Sequence, residues 1–223
     1  MKSYIYILNC LIICTSVYSQ NLEILYKGKE LEINYEGEFN IRYLNLKEFN
    51  QLDWQPGFVY YPDGNSRVYE GMKYNLLDGR VAVNAKGTIL TLLPGVVSGV
   101  SMKSGNVIDH LFVKVDLQKP VFMEVLAAGK IDLLLYRWRL EEKEDIINAV
   151  HLRFEKEIEV INYDEKMYVW TKNGVMELKP SKKFILNIMA DKTNEIELYL
   201  KENKVKMKVP EDMIRLIKYY NGL

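Results

Sequence analysis

Short apolar runs separated by turn residues dominate the chain between residues 22 and 178. Pro-Gly, Asp-Gly, Lys-Gly and Asn-Gly pairs recur at close intervals, and the runs between them are rich in β-branched and aromatic residues, as at 58–61, 80–83 and 88–93. Such runs between tight turns are typical of antiparallel strands joined in a meander. We therefore predict an antiparallel, meander-rich sheet, with a barrel-like or a sandwich-like curl as the forms open to it.

Alternation along single strands predicts which side chains are buried. Within residues 107–117 the odd positions from Leu111 onward are apolar, whereas His110 and Lys114 fall on the other face. In residues 154–160, Phe154, Ile158 and Val160 point one way and three glutamates, at 155, 157 and 159, point the other. Both patterns predict a strand with one buried and one wet face. The expectation for His110 is a solvated side chain.

Two further hairpins are predicted from their turns. Gly129-Lys130 separates the apolar runs 121–126 and 131–140, and Asn173-Gly174 separates 166–171 from 175–178. The Asn-Gly pair favours a type I′ turn, in which both central residues need positive φ.

The period of the apolar positions changes after Pro180. Ser181 can cap a short helix that runs to residue 189, because its hydroxyl accepts from unpaired amides of the first turn. A second helix is predicted from Thr193 to Asn203, and Pro210 suits the first turn of a third. The stripe of this third helix is Met213, Ile214, Ile217 and Tyr220. The predicted fold class is α+β, with a β-rich region over residues 20–180 and a C-terminal helical region over 181–223 packing on the same domain.

The first twenty residues predict export. Lys2 precedes an apolar run over residues 4–17, and Ser19 then stands before Gln20, which is the pattern of a signal peptide over residues 1–19 with cleavage between Ser19 and Gln20. Two alternatives stay open. A retained membrane helix would need ~20 apolar residues, and a lipoprotein would be acylated at Cys14, although a small residue is expected where Ile13 stands. The expected location is the periplasm, the cell surface or the extracellular space.

Composition narrows the chemistry of the mature chain. The only cysteines, Cys10 and Cys14, lie within the predicted signal peptide, so disulfides and thiol catalysis are excluded after it. Thirty basic and thirty acidic residues leave no basic excess for nucleic acid. No second long apolar run predicts a transmembrane span, and a net charge near zero favours self-association.

A resemblance to a group of exported proteins extends over most of the predicted mature chain. Its motifs are Gly71 to Asn75, Phe122 to Leu126 with Gly129, Lys182-Lys183, Asp191-Lys192, Tyr199 to Lys204, and Glu211 to Ile214 with Tyr219-Tyr220-Asn221. These segments resemble those of uncharacterised exported proteins of Bacteroidota. The resemblance implies export and a shared fold, and it carries no activity.

Motifs for metal and nucleophilic chemistry are weak. His110 and His151 are the only histidines, whereas zinc sites gather three or four ligands, so we expect no metal and no cofactor. No Gly-x-Ser-x-Gly elbow is present. Residues 63–65 (Asp-Gly-Asn) resemble the start of a calcium loop, but Arg67 stands at a ligand position, so a β-turn is expected.

Paired carboxylates form the enzymatic alternative. A glycosidase needs two of them ~5 to 9 Å apart, and a sheet could place Glu124 near Asp132, or Glu155 near Glu157. This pattern supports a carboxylate-dependent hydrolase acting on glycans. An alternation of glutamates with apolar residues is equally typical of any exposed strand face.

Four tyrosines on adjacent predicted strands form the candidate binding site: Tyr60, Tyr61, Tyr69 and Tyr74. Such a group can bind a sugar ring or a partner protein, and the alternative is cross-strand packing, since tyrosine is a good strand residue. The leading hypothesis is a non-enzymatic binding or envelope-associated module whose partner is an envelope protein or a glycan. Besides the hydrolase, the other alternative is a structural component of an envelope assembly that docks through its helical tail.

Overall fold

The computed structural model describes residues 22–27, 30–35, 43–44, 53–75, 79–104, 107–142 and 160–223. The predicted signal peptide with its cleavage site at Ser19 and Gln20, and the alternating segment 154–159, lie outside these residues.

Twelve strands form two antiparallel sheets within the described residues. Strands β1 (Leu22–Lys27) and β2 (Glu30–Tyr35) form a hairpin of their own. The other ten strands are β3 (Gln55–Tyr60), β4 (Ser66–Asn75), β5 (Arg80–Ala85), β6 (Thr88–Leu92), β7 (Gly99–Ser104), β8 (Val107–Asp116), β9 (Pro120–Ala127), β10 (Asp132–Glu142), β11 (Val160–Thr171) and β12 (Gly174–Glu177). The antiparallel, sheet-dominated fold predicted from the turn spacing is confirmed.

The ten-stranded sheet consists of two meanders joined side by side. One runs from β3 to β6 and the other from β7 to β12, and they meet where β7 pairs with β3. The resulting order is β12-β11-β10-β9-β8-β7-β3-β4-β5-β6, so β12 and β6 are the two edges. Among the described strands this order is open, and the pairings do not close it into a barrel.

The sheet is strongly curved. The rings of Tyr74 on β4 and Phe112 on β8 stack with their centroids 4.7 Å apart, although β3 and β7 lie between these strands. Neighbouring strands are ~4.8 Å apart, so a flat sheet would hold the two backbones ~14 Å apart. The face that carries both rings is therefore concave.

Three helices follow the sheet and pack against one end of it. They are α1 (Lys182–Ile188), α2 (Thr193–Glu202) and α3 (Pro210–Asn221), with a 3-10 turn at Ala190–Lys192. The Ser181 hydroxyl accepts from the Phe184 N–H at 3.3 Å, which confirms the predicted cap. Helix α3 contacts β9 and β10, and its predicted stripe is buried against apolar residues of those strands. No described helix is long and apolar enough to span a membrane.

The turn between β11 and β12 differs from the predicted one. Thr171 pairs with Gly174, so Lys172 and Asn173 are the central residues. The positive φ falls on Gly174, at 110°, and not on Asn173. The prediction of a type I′ turn centred on Asn173 and Gly174 is wrong, because glycine takes positive φ without the Cβ penalty that asparagine would incur.

Candidate functional site

Four neighbouring strands place charged or titratable side chains in a row across the concave face. His110 lies on β8, Glu124 on β9, Arg137 on β10 and Glu165 on β11. Glu124 pairs in register with Phe112, and alternation puts His110 on the same face as Phe112. We call these four residues the buried row.

Each member of the buried row contacts the next. His110 Nδ1 lies 2.6 Å from Glu124 Oε1, and Arg137 Nη1 donates to Glu124 Oε2. Arg137 Nε donates to Glu165 Oε2 at 3.3 Å. The side chains of the first three residues are almost completely buried, whereas that of Glu165 is partly exposed. One chain of charged contacts therefore joins four strands.

Residues 43 and 44 form hydrogen bonds with the two members of the row on β10 and β11. The Tyr43 hydroxyl donates to Glu165 Oε1 at 2.5 Å, and Arg137 Nη2 donates to the Leu44 carbonyl at 2.7 Å. The Arg137 guanidinium also lies 5.9 Å from the centroid of the Tyr43 ring. Burial and the hydrogen bond to Glu165 raise the pKa of Tyr43 above its usual range. Tyr43 therefore stays neutral and donates to Glu165 at physiological pH.

The electrostatics of Glu124 favour a structural role for the row. Burial raises the pKa of this carboxyl, but the Arg137 guanidinium and the contacts with His110 oppose burial more strongly, so the net pKa lies below its usual range. Glu124 is therefore ionised at neutral pH. A general acid of a glycosidase needs the opposite shift, a raised pKa.

The burial of His110 corrects the expectation of a solvated histidine. The residue is only 2% exposed, and its side chain contacts Glu124. Alternation correctly separated His110 from Leu111 and Val113, but both faces of β8 are buried, since the sheet curves around the side of His110 and Phe112. Its partner Glu124 comes from the next strand, and no short-range pattern links the two.

The predicted carboxylate pair of Glu124 and Asp132 is not brought together. Glu124 pairs with Leu135 on the concave face, whereas Asp132, three residues earlier on β10, has the alternation of the opposite face. Asp132 Oδ1 instead accepts from the Gly129 N–H at 2.9 Å. Burial raises the pKa of Asp132 to about 7, against the smaller lowering effect of that N–H. The other predicted pair, Glu155 and Glu157, lies outside the described residues.

The sheet separates Tyr60 from the other three candidate tyrosines. Tyr60 is buried with its hydroxyl 2.9 Å from Ser101 Oγ, on the side of the sheet opposite Phe112. Tyr69 and Tyr74 are buried in the apolar cluster that contains Phe112 on the concave face, and Tyr61 packs against that cluster. Burial and a hydrogen bond to Tyr69 raise the pKa of Tyr61. This placement favours the packing alternative, and a binding role for these residues stays a prediction.

Strand β6 is an exposed apolar edge. In the part of the chain that the structure describes, β5 is its only paired neighbour. The strand contains no charged residue, and Ile89 and Leu90 are 63% and 45% exposed. The exposed side chains of Leu93 and Val96 follow directly along the chain.

The opposite edge, β12, has the protection that β6 lacks. It contains only four residues, its exposed Glu177 forms an ion pair with Lys166 at 3.6 Å, and Lys179-Pro180 follows it. Short length, charge and proline are the devices by which proteins prevent edge strands from pairing with other chains. An uncharged, aliphatic edge such as β6 is open to strand pairing.

The β5–β6 turn determines which backbone groups of β6 point outward. Lys86 and Gly87 both have positive φ, at 54° and 88°, as in a type I′ turn. The flanking residues Ala85 and Thr88 are paired and bond to each other across the turn. Because hydrogen-bonded and non-hydrogen-bonded pairs alternate, the N–H and C=O groups of Ile89 and Thr91 face away from β5.

Sequence reasoning predicted the strand at 88–93 but missed its position at the edge. Only the pairing of β7 with β3 makes β6 an edge, and no local signal encodes that pairing.

Within the described residues no group of three or more metal-ligating side chains occurs. Comparison of the chain with protein-family models, curated proteins and solved structures gives no match.

Proposed function

We propose that this protein is an exported, non-enzymatic module that binds another protein chain by strand addition along the outer edge of β6. The observation that carries the proposal is the combination of outward backbone groups at Ile89 and Thr91 with exposed aliphatic side chains and no charge on the strand. We call the outer side of residues 88–93 the β6 edge.

Strand addition suits the β6 edge on energetic grounds. Main-chain hydrogen bonds supply affinity, and pockets for alternate side chains supply specificity. Covering an exposed isoleucine or leucine removes apolar surface from water, which contributes ~1.5–3 kcal/mol for complete burial. A glycan presents no such row of alternating donors and acceptors, so the proposed partner is a protein.

The curvature of the sheet indicates how the β6 edge can stay free in a barrel-like fold. We propose that the sheet curls as a half-barrel around the stack of Tyr74 and Phe112. Full closure would remove free edges, whereas an open curl keeps one available. In this arrangement the buried row acts as a structural brace that holds β8 to β11 at their curvature.

The proposed function takes place outside the cytoplasm, because we propose that the protein is exported. The predicted signal peptide ends at Ser19, and the chain after it contains no cysteine, so the fold is held by its core alone. The proposed location is the periplasm, the cell surface or the medium, with an envelope protein as the class of partner.

The proposal is tested by affinity capture from envelope fractions. The wild-type protein is compared with Ile89→Lys, which places a charge on the β6 edge, and with Leu198→Lys on α2. Leu198 is a matched control because its side chain is 55% exposed. We expect one stoichiometric protein to be captured by the wild type and by the control and to be lost with Ile89→Lys. Equal capture by all three variants, or capture of no protein, would contradict the proposal.

A further inference from the structure

We infer that the chain bound along the β6 edge is a second copy of this protein, so that two sheets join in antiparallel fashion across a two-fold axis. The inference rests on the proposed function only in taking the β6 edge as the binding surface. Its support is the self-complementary sequence of that edge.

Geometry restricts the register of such a pair. In a continuous antiparallel sheet the facing side chains lie on the same side, and side chains alternate with a period of two. A two-fold axis through the sheet therefore pairs residues of the same parity. With the axis at Thr91, Thr91 faces its own copy, Leu90 faces Leu92 of the second copy, and Ile89 faces Leu93 of the second copy.

Every side-chain pair in this register is compatible. Thr–Thr pairs are among the cross-strand pairs that stabilise antiparallel sheets, and facing aliphatic side chains remove each other's apolar surface from water. Residues 88–93 carry no charge, so no like charges face each other, and the whole chain has a formal net charge of zero. Little long-range repulsion opposes the approach of two copies.

The backbone groups also match. Thr91 exchanges both hydrogen bonds with its copy, and Ile89 does so with Leu93 of the second copy. The Leu93 carbonyl already accepts from the Val96 N–H at 2.9 Å, but a carbonyl oxygen has a second lone pair for this bond. The register thus uses Ile89 and Thr91, the two outward positions deduced for β6, together with Leu93, which directly follows the strand.

The expected dimer is concentration-dependent. Pairing of one short strand from each copy buries less surface than the ~1,200–2,000 Å² of stable interfaces. We therefore expect a reversible dimer rather than an obligate one.

The first test is the mass of the protein as a function of its concentration. Protein purified from cells that express the full chain is examined by sedimentation equilibrium. We expect a monomer–dimer equilibrium for the wild type and for the control Leu198→Lys. Thr91→Pro, which removes an outward N–H at a position where an edge strand tolerates proline, is expected to remain monomeric, as is Ile89→Lys.

The second test traps the register by a disulfide. The full chain is prepared with Cys10→Ser and Cys14→Ser, so that one introduced cysteine is the only thiol. Residues facing each other in a hydrogen-bonded antiparallel pair have Cα atoms ~5.5 Å apart, within disulfide range. We expect Thr91→Cys to form a covalent dimer under mild oxidation, with at least tenfold more dimer than Leu198→Cys.

The two proposals can fail separately. A wild type that stays monomeric at every concentration, together with no excess dimer for Thr91→Cys, would overturn the second copy as the partner. If capture from envelope fractions still depends on Ile89 in that case, the β6 edge remains a binding surface for another protein. If capture is also independent of Ile89, both proposals are overturned.

Discussion

In the buried row, single side chains connect several strands of the sheet. Arg137 contacts Glu124 and Glu165 on two different neighbouring strands and also the Leu44 carbonyl. An ion pair of this kind contributes little net stability relative to apolar residues, but removal of one partner leaves an uncompensated buried charge. The integrity of the row therefore depends most strongly on its only cation with a fixed charge, Arg137.

Substitution of that cation should be strongly destabilising. Arg137→Met leaves the Glu124 carboxylate buried without its main partner, and we expect a loss of ~3–5 kcal/mol in the free energy of unfolding in urea. The control is Lys166→Met on β11, whose ion pair with Glu177 is exposed; such pairs contribute ~0–1 kcal/mol. Similar losses for the two variants would contradict a bracing role for the row.

Asp132 should make the free energy of unfolding depend on pH between ~4 and ~7. Its pKa is raised from 3.8 to about 7 in the folded state, so the unfolded chain loses this proton at lower pH than the native protein. The contribution of Asp132 to the free energy of unfolding is therefore fully present below pH ~4. It is lost as pH rises through ~7, and its total is ~4 kcal/mol. We expect Asp132→Asn to flatten the decline in unfolding free energy over this window.

The control for this titration is Asp116→Asn, because Asp116 is an exposed carboxylate. This substitution removes an exposed carboxylate and leaves the buried Asp132 in place, so the decline in unfolding free energy assigned to Asp132 should persist. An unaltered slope in Asp132→Asn, measured by urea unfolding at a series of pH values, would show that Asp132 is not the group responsible.

At the scale of elements, the last helix is fixed to the β9–β10 turn by one side chain. Asn221 at the end of α3 accepts from the Ile131 N–H at 3.0 Å and donates to the carbonyls of Ala128 and Ile131 at 3.0 and 2.8 Å. Gly129 in the same turn has φ of +153°, and a Cβ there would lie 2.6 Å from Asn221 Cγ. The absence of a side chain at Gly129 lets Asn221 reach the turn.

This contact predicts that substitutions of Asn221 and Gly129 have non-additive effects on the free energy of unfolding. Asn221→Ala leaves the Ile131 N–H without its partner, and we expect a loss of ~1–3 kcal/mol. Gly129→Ala should lose ~1–3 kcal/mol through the clash with Asn221 and the strained φ. The double variant should lose less than the sum, because the clash disappears with the asparagine.

A glycine without such a neighbour provides the control for that cycle. Gly95 has open space where a Cβ would lie, so Gly95→Ala should change the free energy of unfolding by no more than ~1 kcal/mol. Strict additivity of Asn221→Ala and Gly129→Ala in thermal or urea unfolding would contradict the proposed contact.

Most elements could be predicted because their signals are local. Ser181, Pro210 and the Gly129-Lys130 pair each act within a few residues of themselves, and the structure confirms the helices and the hairpin that they predict. The Asn173-Gly174 turn was misassigned by one residue, since turn type depends on which residue takes positive φ. The burial of His110 was missed because its partner Glu124 is fourteen residues away.

At the scale of the whole molecule, strand order decides what is available for binding. The pairing of β7 with β3 joins two meanders and leaves β6 at one edge and the protected β12 at the other. That pairing links segments about forty residues apart, as Val59 and Val100 illustrate, and no turn signal spans such a distance. The candidate binding surface could therefore be recognised only from the folded structure.

The most direct test of binding along the β6 edge is site-specific photo-crosslinking in cells that produce the protein. A photoreactive residue replaces Ile89 in one variant and the similarly exposed Leu198 in the other. We expect a discrete adduct from position 89 alone, with twice the mass of the protein if the partner is a second copy. No adduct at position 89, or equal adducts at both positions, would contradict binding along this edge.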